Sequence, residues 1–309
     1  MNIGLYYYNP FETGGCEKTM LERGKILSSL GHEITYIFGS KHPQINTIEL
    51  WSEVGDVIHQ DYLEKDFDII IYDSIYNNKI LPANNIIQIM NGNVIDGKES
   101  YNGSADRFVC VSEECQKQFK EKYGYDSVVI PNVINTEKIK KLAKEEYTIP
   151  KKKYNFVVVS RIDEVKGFDN LEKLISKIDS KTKDYQFVIV GSNNNFPRYV
   201  ERLKQRFKKY NVIWEGLQNN PYKYMANADY LVQLSKFESQ CMVMYESMII
   251  GTPVIVTDFD NAKKDVTEAR GFVLKQDLSN LDIDTILSKK GSFKFNCKRF
   301  SPHRLSSHY

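Results

Sequence analysis

Two glutamates stand in a run of residues that is otherwise almost entirely apolar. The run, residues 237–256, reads FESQCMVMYESMIIGTPVIV, and its glutamates are Glu238 and Glu246. An ionised carboxylate is almost never buried without donors that replace its lost water. We therefore expect hydrogen-bond donors at both positions, and the vicinal hydroxyls of a ribose or another sugar are donors of the right kind.

The surrounding pattern places these carboxylates at the edge of a parallel sheet. A strand pattern, DYLVQLS, ends just before Glu238, and a helix that begins near Cys241 carries Glu246 about one turn further in. Free amides and the helix dipole favour an anion such as phosphate at that helix start. The amides expected to bind it belong to Gln240, Cys241, Met242 and Val243. The alternative is that Glu238 is a solvated loop residue and Glu246 forms a salt bridge across the sheet.

Two cations follow a second strand pattern. FVVVS at 156–160 leads into RIDEVKGFDNL, which contains Arg161 and Lys166. Two cations between a strand end and a helix start can clamp a pyrophosphate, although either one alone is more often a solvated surface charge. Gly14 and Gly15 follow the first strand, where a glycine pair lets a phosphate or an acceptor approach the backbone or merely marks a turn. No G-x-G-x-x-G follows that strand, which counts against a dinucleotide dehydrogenase.

The order of strand and helix patterns indicates the fold. Strands and helices alternate from NIGLYYYN onward, the pattern becomes polar and lysine-rich between residues 135 and 153, and the alternation then restarts. This predicts an α/β protein with two Rossmann-like, doubly wound parallel-sheet domains facing across a cleft. We expect an acceptor-side domain at 1–148 and a donor domain at 149–309, with the last residues crossing back to the first domain.

Composition narrows the partners and the compartment. Basic and acidic residues number 42 and 40, so the net charge of +2 gives no reason to expect a nucleic-acid partner. Residues 1–150 hold 15 basic and 22 acidic residues and the remainder 27 and 18, which favours the second half for an anion. Five cysteines without a C-x-x-C pair indicate reduced thiols. With no leader or spanning segment visible, we expect a cytoplasmic protein with at most peripheral contact at the inner membrane face.

Two motifs resemble a known family. E-x7-E followed by GTPVI resembles the nucleotide-sugar segment of the retaining glycosyltransferases of family 4, which have the GT-B fold. Upstream, GLQNNPYKYMANAD resembles the G-x-x-x-N-P-Y-x-Y-x-x-x-A-D stretch of bacterial polysaccharide-synthesising members. VVVSRIDEVKGFDNL resembles the family's element of a strand followed by S-R and then K-G. CVSEECQKQF and VIPNVIN resemble two further signatures of the family. The glycine of the I-P-N-G-V-D signature is Val133 in this chain.

The resemblance implies roles for these residues. Arg161 and Lys166 would hold the donor diphosphate, Glu238 the transferred sugar and Glu246 the ribose. The resemblance extends the donor site to Gly191, Gly216 and Leu217. Many relatives place a histidine near the reaction centre after the strand NIIQIM, where this chain reads MNGN, so Asn91 or Asn93 would take its place or the loop is structural.

The resulting expectation is a retaining glycosyltransferase. It would move a sugar from a nucleoside diphosphate sugar, most simply a UDP-sugar, to a hydroxyl of a glycan, lipid-linked or protein-linked acceptor. No metal or other cofactor is expected, and the D-x-D of the tail, at 282–284, is not assigned a metal-binding role. Two alternatives are a non-catalytic homologue that acts as a partner subunit and a sugar-nucleotide epimerase of the same fold. The sequence leaves the oligomeric state open.

Overall fold

The protein divides into two compact units, each built around its own parallel sheet. The computed structural model describes residues 1–8, 15–40, 45–73, 81–91, 105–192 and 196–293. The first unit runs from Met1 to Ile134, and the second begins at Asn135.

The first unit contains a sheet of seven parallel strands in the order β3-β2-β1-β4-β5-β6-β7. Its strands are β1 Asn2–Tyr7, β2 Glu33–Phe38, β3 Asp56–His59, β4 Phe67–Asp73, β5 Ala83–Met90, β6 Arg107–Cys110 and β7 Val128–Val129. Its helices are α1 Gly15–Ser29, α2 Ile45–Ser52 and α3 Glu113–Tyr123. The strand order reverses between β1 and β4, which marks the topological switch point of this sheet.

The second unit repeats this plan with six parallel strands in the order β10-β9-β8-β11-β12-β13. Its strands are β8 Tyr154–Val159, β9 Tyr185–Val190, β10 Val212–Gly216, β11 Tyr230–Gln233, β12 Val254–Thr257 and β13 Gly271–Leu274. Its helices are α4 Thr136–Leu142, α5 Phe168–Lys181, α6 Pro197–Phe207, α7 Tyr222–Ala226, α8 Met242–Ile250, α9 Asp260–Asp265 and α10 Ile283–Ser288. Here the order reverses between β8 and β11.

Burial of both sheet faces explains why these segments fold as they do. β9 is buried at all six positions, and β11 and β12 at all four of theirs. Strands covered on both faces are nearly continuous apolar runs rather than alternating ones. Helix α5 shows the complementary pattern, because Phe168, Leu171, Leu174, Ile175 and Ile178 form its one buried face.

The predicted pair of parallel-sheet α/β domains is confirmed. The boundary between the two units lies between Ile134 and Asn135, whereas the sequence pattern predicted it after residue 148. The reason is that α4 packs against α7 and α8 and so belongs to the second unit. The short strands β3 and β13 were not predicted. The predicted crossing of the last residues falls on 294–309, outside the described residues.

Candidate functional site

The predicted diphosphate and sugar residues of the second unit lie at its topological switch point. Arg161 follows β8 and Glu238 follows β11, and these two strands are neighbours in the sheet. Ligands of open parallel sheets bind outside the carboxyl ends of the strands at such a point. The position in the fold therefore matches the chemistry that the residue types suggested.

Both cations lie in the short segment between β8 and α5, which contains a capped 3₁₀ turn. Arg161 Nε donates to Asp163 Oδ2 at 2.7 Å, and the side chain of Arg161 remains 65% exposed. Asp163 Oδ1 in turn accepts from the backbone amides of Val165 and Lys166 at 3.1 and 3.2 Å, which caps the 3₁₀ turn Glu164–Lys166. One carboxylate thus orients the arginine and fixes the turn that presents the lysine.

Glycine 167 brings this turn against β11. Gly167 has φ +71°, and a Cβ built there would lie 1.8 Å from the carbonyl oxygen of Leu234. No other residue fits so close to that backbone. The amide of Lys236 also donates to the carbonyl of Val165 at 2.8 Å, so the segments that follow β8 and β11 are joined backbone to backbone.

An ion pair also joins these two segments. Lys166 Nζ donates to Glu238 Oε1 at 2.7 Å, and the two side chains are 19% and 11% exposed. Burial by itself would lower the pKa of the Lys166 ammonium, but the charge and hydrogen bond of Glu238, with a smaller contribution from Asp163, raise that pKa above its ordinary value. Lys166 is therefore a cation throughout the neutral range.

Two residues that the sequence analysis did not single out also bind Glu238. Ser235 Oγ donates to Glu238 Oε1 at 2.6 Å, and Gln233 Nε2 lies 3.2 Å from the same oxygen. Both residues are buried, at 0% and 1% exposure. The only sequence signal was their position at the end of an apolar strand pattern, where polar residues are unexpected.

Helix α8 begins where the anion site was predicted. Cys241 occupies the N-cap position in a left-handed conformation, φ 48° and ψ 63°, and no side chain caps the helix. Met242 and Val243 form its first turn, and Gln240 and Cys241 are buried beside it. Burial and the nearby Glu238 charge raise the pKa of the Cys241 thiol well above its ordinary value, so this thiol is neutral and serves for packing.

Glu246 lies one turn into α8 and is held by a tyrosine. Tyr222 Oη donates to Glu246 Oε1 at 3.1 Å. Tyr222 is positioned by Asn220, whose Oδ1 accepts from the Tyr222 amide at 3.0 Å and whose Nδ2 donates to Leu142 O at 2.8 Å. The N-P-Y motif at 220–222 was identified in the sequence, but its link to Glu246 was not.

Three further predicted residues lie around β9 and β10. Gly191 has φ +143°, and its Cβ would meet the carbonyl oxygen of Ser160 at 1.9 Å, so a glycine is required there. Its amide donates to the carbonyl of Gly216 at 2.7 Å, which joins the ends of these strands. Leu217 follows and is 54% exposed. The hydroxyls of Ser160 and Ser192 at the same sheet edge are buried with no hydrogen-bond partner in the described part of the chain.

The first unit contains the other predicted positions. Gly14 and Asn93 lie outside the described residues, and Gly15 is the first residue of α1. Asn91 directly follows β5; its side-chain amide donates to the fully buried Asp73, and its Oδ1 accepts from Asn132 at 3.0 Å.

Asp73 also forms an ion pair with Arg23, 3.2 Å from Nη1 to Oδ2. Arg23, Asp73, Asn91 and Asn132 thus form one network at the carboxyl ends of β4 and β5. Asn91, one of the two asparagines that the sequence offered in place of the family histidine, is thus a member of this network.

The arrangement in the second unit combines cations, a helix N-terminus and two carboxylates. Arg161, Lys166 and the start of α8 offer positive charge and N–H donors, which suit a diphosphate. Glu238 and Glu246 offer acceptors, which suit hydroxyl groups. Among the described residues, no cluster of three or more histidine, cysteine or acidic side chains is placed to bind a metal ion. The helices described in both units are also too short or too polar to cross a bilayer.

Comparison with known proteins points to one family. The family model for "Glycosyl transferases group 1" matches residues 139–289, which include every predicted site residue of the second unit. The chain is 26% identical over 171 residues to the Bacillus subtilis protein named poly(glycerol-phosphate) alpha-glucosyltransferase, covering 55% of this chain and 24% of that protein.

A second relative comes from Campylobacter jejuni. It is named N-acetylgalactosamine-N,N'-diacetylbacillosaminyl-diphospho-undecaprenol 4-alpha-N-acetylgalactosaminyltransferase and is 26% identical over 153 residues, 49% of this chain and 40% of that protein. The matches thus span less than half the length of these two relatives.

Among solved structures, the Anabaena protein Alr3699/HepE in complex with UDP and glucose aligns with a TM-score of 0.73 at 15% identity. The alignment covers 99% of this chain and 95% of that one, and at this identity it bears on the fold. Together with the two parallel sheets, it identifies the predicted fold. Residues 139–289 thus match the glycosyl transferases group 1 family, and the fold of the chain is GT-B.

Proposed function

We propose that this protein is a retaining glycosyltransferase that moves a sugar from a UDP-sugar to a hydroxyl of a glycan, lipid-linked or protein-linked acceptor. The observation that carries the proposal is the Lys166–Glu238 pair at the switch point of the second sheet, next to the start of α8. A diphosphate needs the cation and the helix start, while a sugar needs the carboxylate. In this pair, the cation and the carboxylate are joined by a single hydrogen bond.

The relatives support the reaction class. Two of them carry names of transferases that form α-linked products, and the Anabaena neighbour is described in complex with UDP and glucose. UDP-sugars commonly carry the sugar as the α-anomer, so an α-linked product means retention at the anomeric carbon. The family match and the residue chemistry together support a retaining transfer from UDP for this chain.

In the proposed reaction, the bond between the anomeric carbon and the β-phosphate oxygen breaks, and its electron pair goes to the phosphate. The acceptor oxygen forms a new bond to the anomeric carbon on the same face. The acceptor proton passes to a phosphate oxygen of the departing UDP. Negative charge thus grows on the phosphate, and donors that are already oriented toward it lower the barrier.

The cations, the amides at the start of α8 and the two carboxylates have separate roles in this scheme. Arg161, Lys166 and the first-turn amides of α8 stabilise the charge on the leaving diphosphate, Glu238 binds hydroxyls of the transferred sugar and Glu246 those of the ribose. Cations and amides meet the phosphate charge, so we propose that transfer proceeds without a metal ion. The proposed setting is the cytoplasm, where the protein would reach a lipid-linked acceptor from the membrane surface.

The experiment that tests this function uses a panel of nucleotide sugars. Thermal shift with UDP, UDP-glucose, UDP-galactose and UDP-N-acetylglucosamine comes first; a ligand at 100 times its dissociation constant stabilises the fold by about 2.7 kcal/mol. Donor hydrolysis is then measured without acceptor. Release of UDP and free sugar from at least one donor supports the transferase.

Two other outcomes point to the alternatives. Interconversion of UDP-sugars without release of UDP would identify an epimerase. Absence of both binding and turnover with all donors would identify a non-catalytic homologue.

A further inference from the structure

Three donors converge on a single oxygen of Glu238. Lys166 Nζ, Ser235 Oγ and Gln233 Nε2 lie 2.7, 2.6 and 3.2 Å from Oε1. Within the residues that the structure describes, Oε2 has no hydrogen-bond partner. The carboxylate is therefore held by one end only, and its other oxygen remains an acceptor with no assigned partner.

The two neutral donors are themselves fixed on the sheet. Gln233 Nε2 donates to Ser235 Oγ at 2.6 Å, so the serine hydroxyl donates onward to Glu238. The carbonyl of Ser235 accepts from Thr257 Oγ1 at 2.5 Å and from Gln276 Nε2 at 3.2 Å. Hydrogen bonds to β12 and to the segment after β13 thus hold the serine from behind.

The orientation of the Gln233 amide follows from its neighbours. A carboxylate oxygen only accepts hydrogen bonds, so the nitrogen and not the oxygen of Gln233 must face Glu238. This leaves Gln233 Oε1 buried without a partner among the described residues. Leaving an acceptor unpaired in the interior is costly, and the bonds to Ser235 and Glu238 offset that cost.

We infer that Ser235 and Gln233 are positioning residues that clamp Glu238 Oε1, so that Oε2 is the atom that accepts from the hydroxyls of the transferred sugar. This inference rests on the proposed function and adds residues to it. Among the described residues, the side chains of Ser235 and Gln233 bind Glu238 and not Arg161 or Lys166, so the clamp acts on the sugar end of the donor. A preorganised carboxylate also binds the sugar without first losing rotamer freedom.

The first test separates the sugar from the nucleotide. Ser235→Ala removes one hydroxyl and should lower the affinity for intact UDP-sugar about tenfold, the effect of losing an oriented hydrogen bond to a charged group. Affinity for UDP should change less than about twofold. Gln233→Met keeps the side-chain length without the donor and should act in the same direction. Equal loss of UDP and UDP-sugar affinity in titration calorimetry would overturn the inference.

Ser247→Ala is the matched control. Ser247 is equally buried in the same unit, and its hydroxyl donates to the carbonyl of Thr252 at 3.0 Å without reaching Glu238. It should lower the melting temperature as Ser235→Ala does but leave the ratio of UDP-sugar to UDP affinity unchanged. A shift of that ratio in Ser247→Ala would show that general loosening of the unit, and not the clamp, moves donor affinity.

A double-mutant cycle gives a readout that a merely structural serine would not produce. When Glu238 is already alanine, the clamp has nothing to hold, so adding Ser235→Ala should cause no further loss of UDP-sugar affinity. A second loss as large as the first would contradict the inference.

The clamp can also be tested if the proposed function fails. Crystal structures of the wild type and Ser235→Ala show whether the Glu238 carboxylate turns away from its position, a measurement that needs no donor. If no UDP-sugar binds the wild type, the proposed function is wrong, and a carboxylate that turns in Ser235→Ala still supports the clamp. An unmoved carboxylate overturns it.

Discussion

Lys166 Nζ and Glu238 Oε1 lie 2.7 Å apart across the switch point of the second sheet, although 72 residues separate them in the chain. The pair joins the loop that presents the cations to the loop that presents the carboxylate proposed to bind the transferred sugar. The predictions that follow test the two sides of this pair separately.

The first prediction concerns stability. Lys166→Met leaves the Glu238 carboxylate, 11% exposed, without its counter-ion and should lower the free energy of unfolding by about 1–3 kcal/mol, less than for a fully buried pair because water still reaches both groups. Adding Glu238→Gln removes the stranded charge and should restore part of the loss. Urea unfolding of the three proteins measures this, and a double variant that is less stable than Lys166→Met would contradict it.

The pH dependence of this stabilisation follows from the raised pKa of Lys166. A folded-state pKa above the unfolded one means that the contribution is fully present below the ordinary lysine value of 10.5 and is lost as pH rises through the folded pKa. The stability difference between wild type and Lys166→Met should thus be constant from pH 6 to about 9 and shrink in the strongly alkaline range. A difference that shrinks between pH 6 and 8 would be inconsistent with the pair.

The second prediction separates the two carboxylates. Glu246→Ala should weaken both UDP and intact donor, whereas Glu238→Ala should weaken the donor and leave UDP nearly unaffected. Titration calorimetry on variants shown to be folded by circular dichroism is the measurement. Equal loss of UDP affinity in both variants would refute the division of roles.

The third prediction concerns the tyrosine that holds Glu246. Tyr222→Phe removes a 3.1 Å hydrogen bond and should weaken UDP binding about three- to tenfold, the effect of losing one oriented donor. Tyr224→Phe is the matched control in the same helix, since its hydroxyl donates to Glu215 at 2.8 Å instead. Similar UDP affinities of both variants would show that Tyr222 does not position Glu246.

The fourth prediction concerns charge stabilisation in the transition state. Arg161→Ala should reduce turnover about 10²- to 10³-fold with a smaller change in KM, because the diphosphate that Arg161 is proposed to bind gains negative charge as its bond to the sugar breaks. Arg161→Lys should rescue only in part, since lysine lacks the planar fork. Arg206→Ala is the control, as Arg206 is likewise exposed and paired with carboxylates in the same unit. Unchanged turnover in Arg161→Ala would remove the diphosphate clamp from the proposal.

The fifth prediction concerns the metal. If cations and amides meet the diphosphate charge, donor hydrolysis should persist in excess EDTA at close to its untreated rate. The measurement compares initial rates before and after chelation and again after addition of Mg²⁺ or Mn²⁺. Activity that disappears on chelation and returns with either ion would contradict the metal-independent reaction.

Much of the site could be identified from local patterns. Three features each lie within one short segment: the apolar strand runs, the cations after β8 and the glutamates around the start of α8. The alternation of strand and helix patterns predicts the parallel sheets. Residues on one short segment keep their order and approximate spacing in the fold. This is why the family resemblance and the two-domain architecture followed from the chain alone, and both are confirmed.

The links between segments required the tertiary structure. The sequence could not pair Lys166 with Glu238 or Tyr222 with Glu246, because those contacts depend on which strands become neighbours. The strand order places β8 beside β11 although β9 and β10 come between them in the chain. For the same reason Ser235 and Gln233 looked like ordinary strand-end residues until the 161–167 turn was packed against them. The sequence by itself determined which groups are present at each strand end, and the topology decided which of them share one hydrogen-bond network.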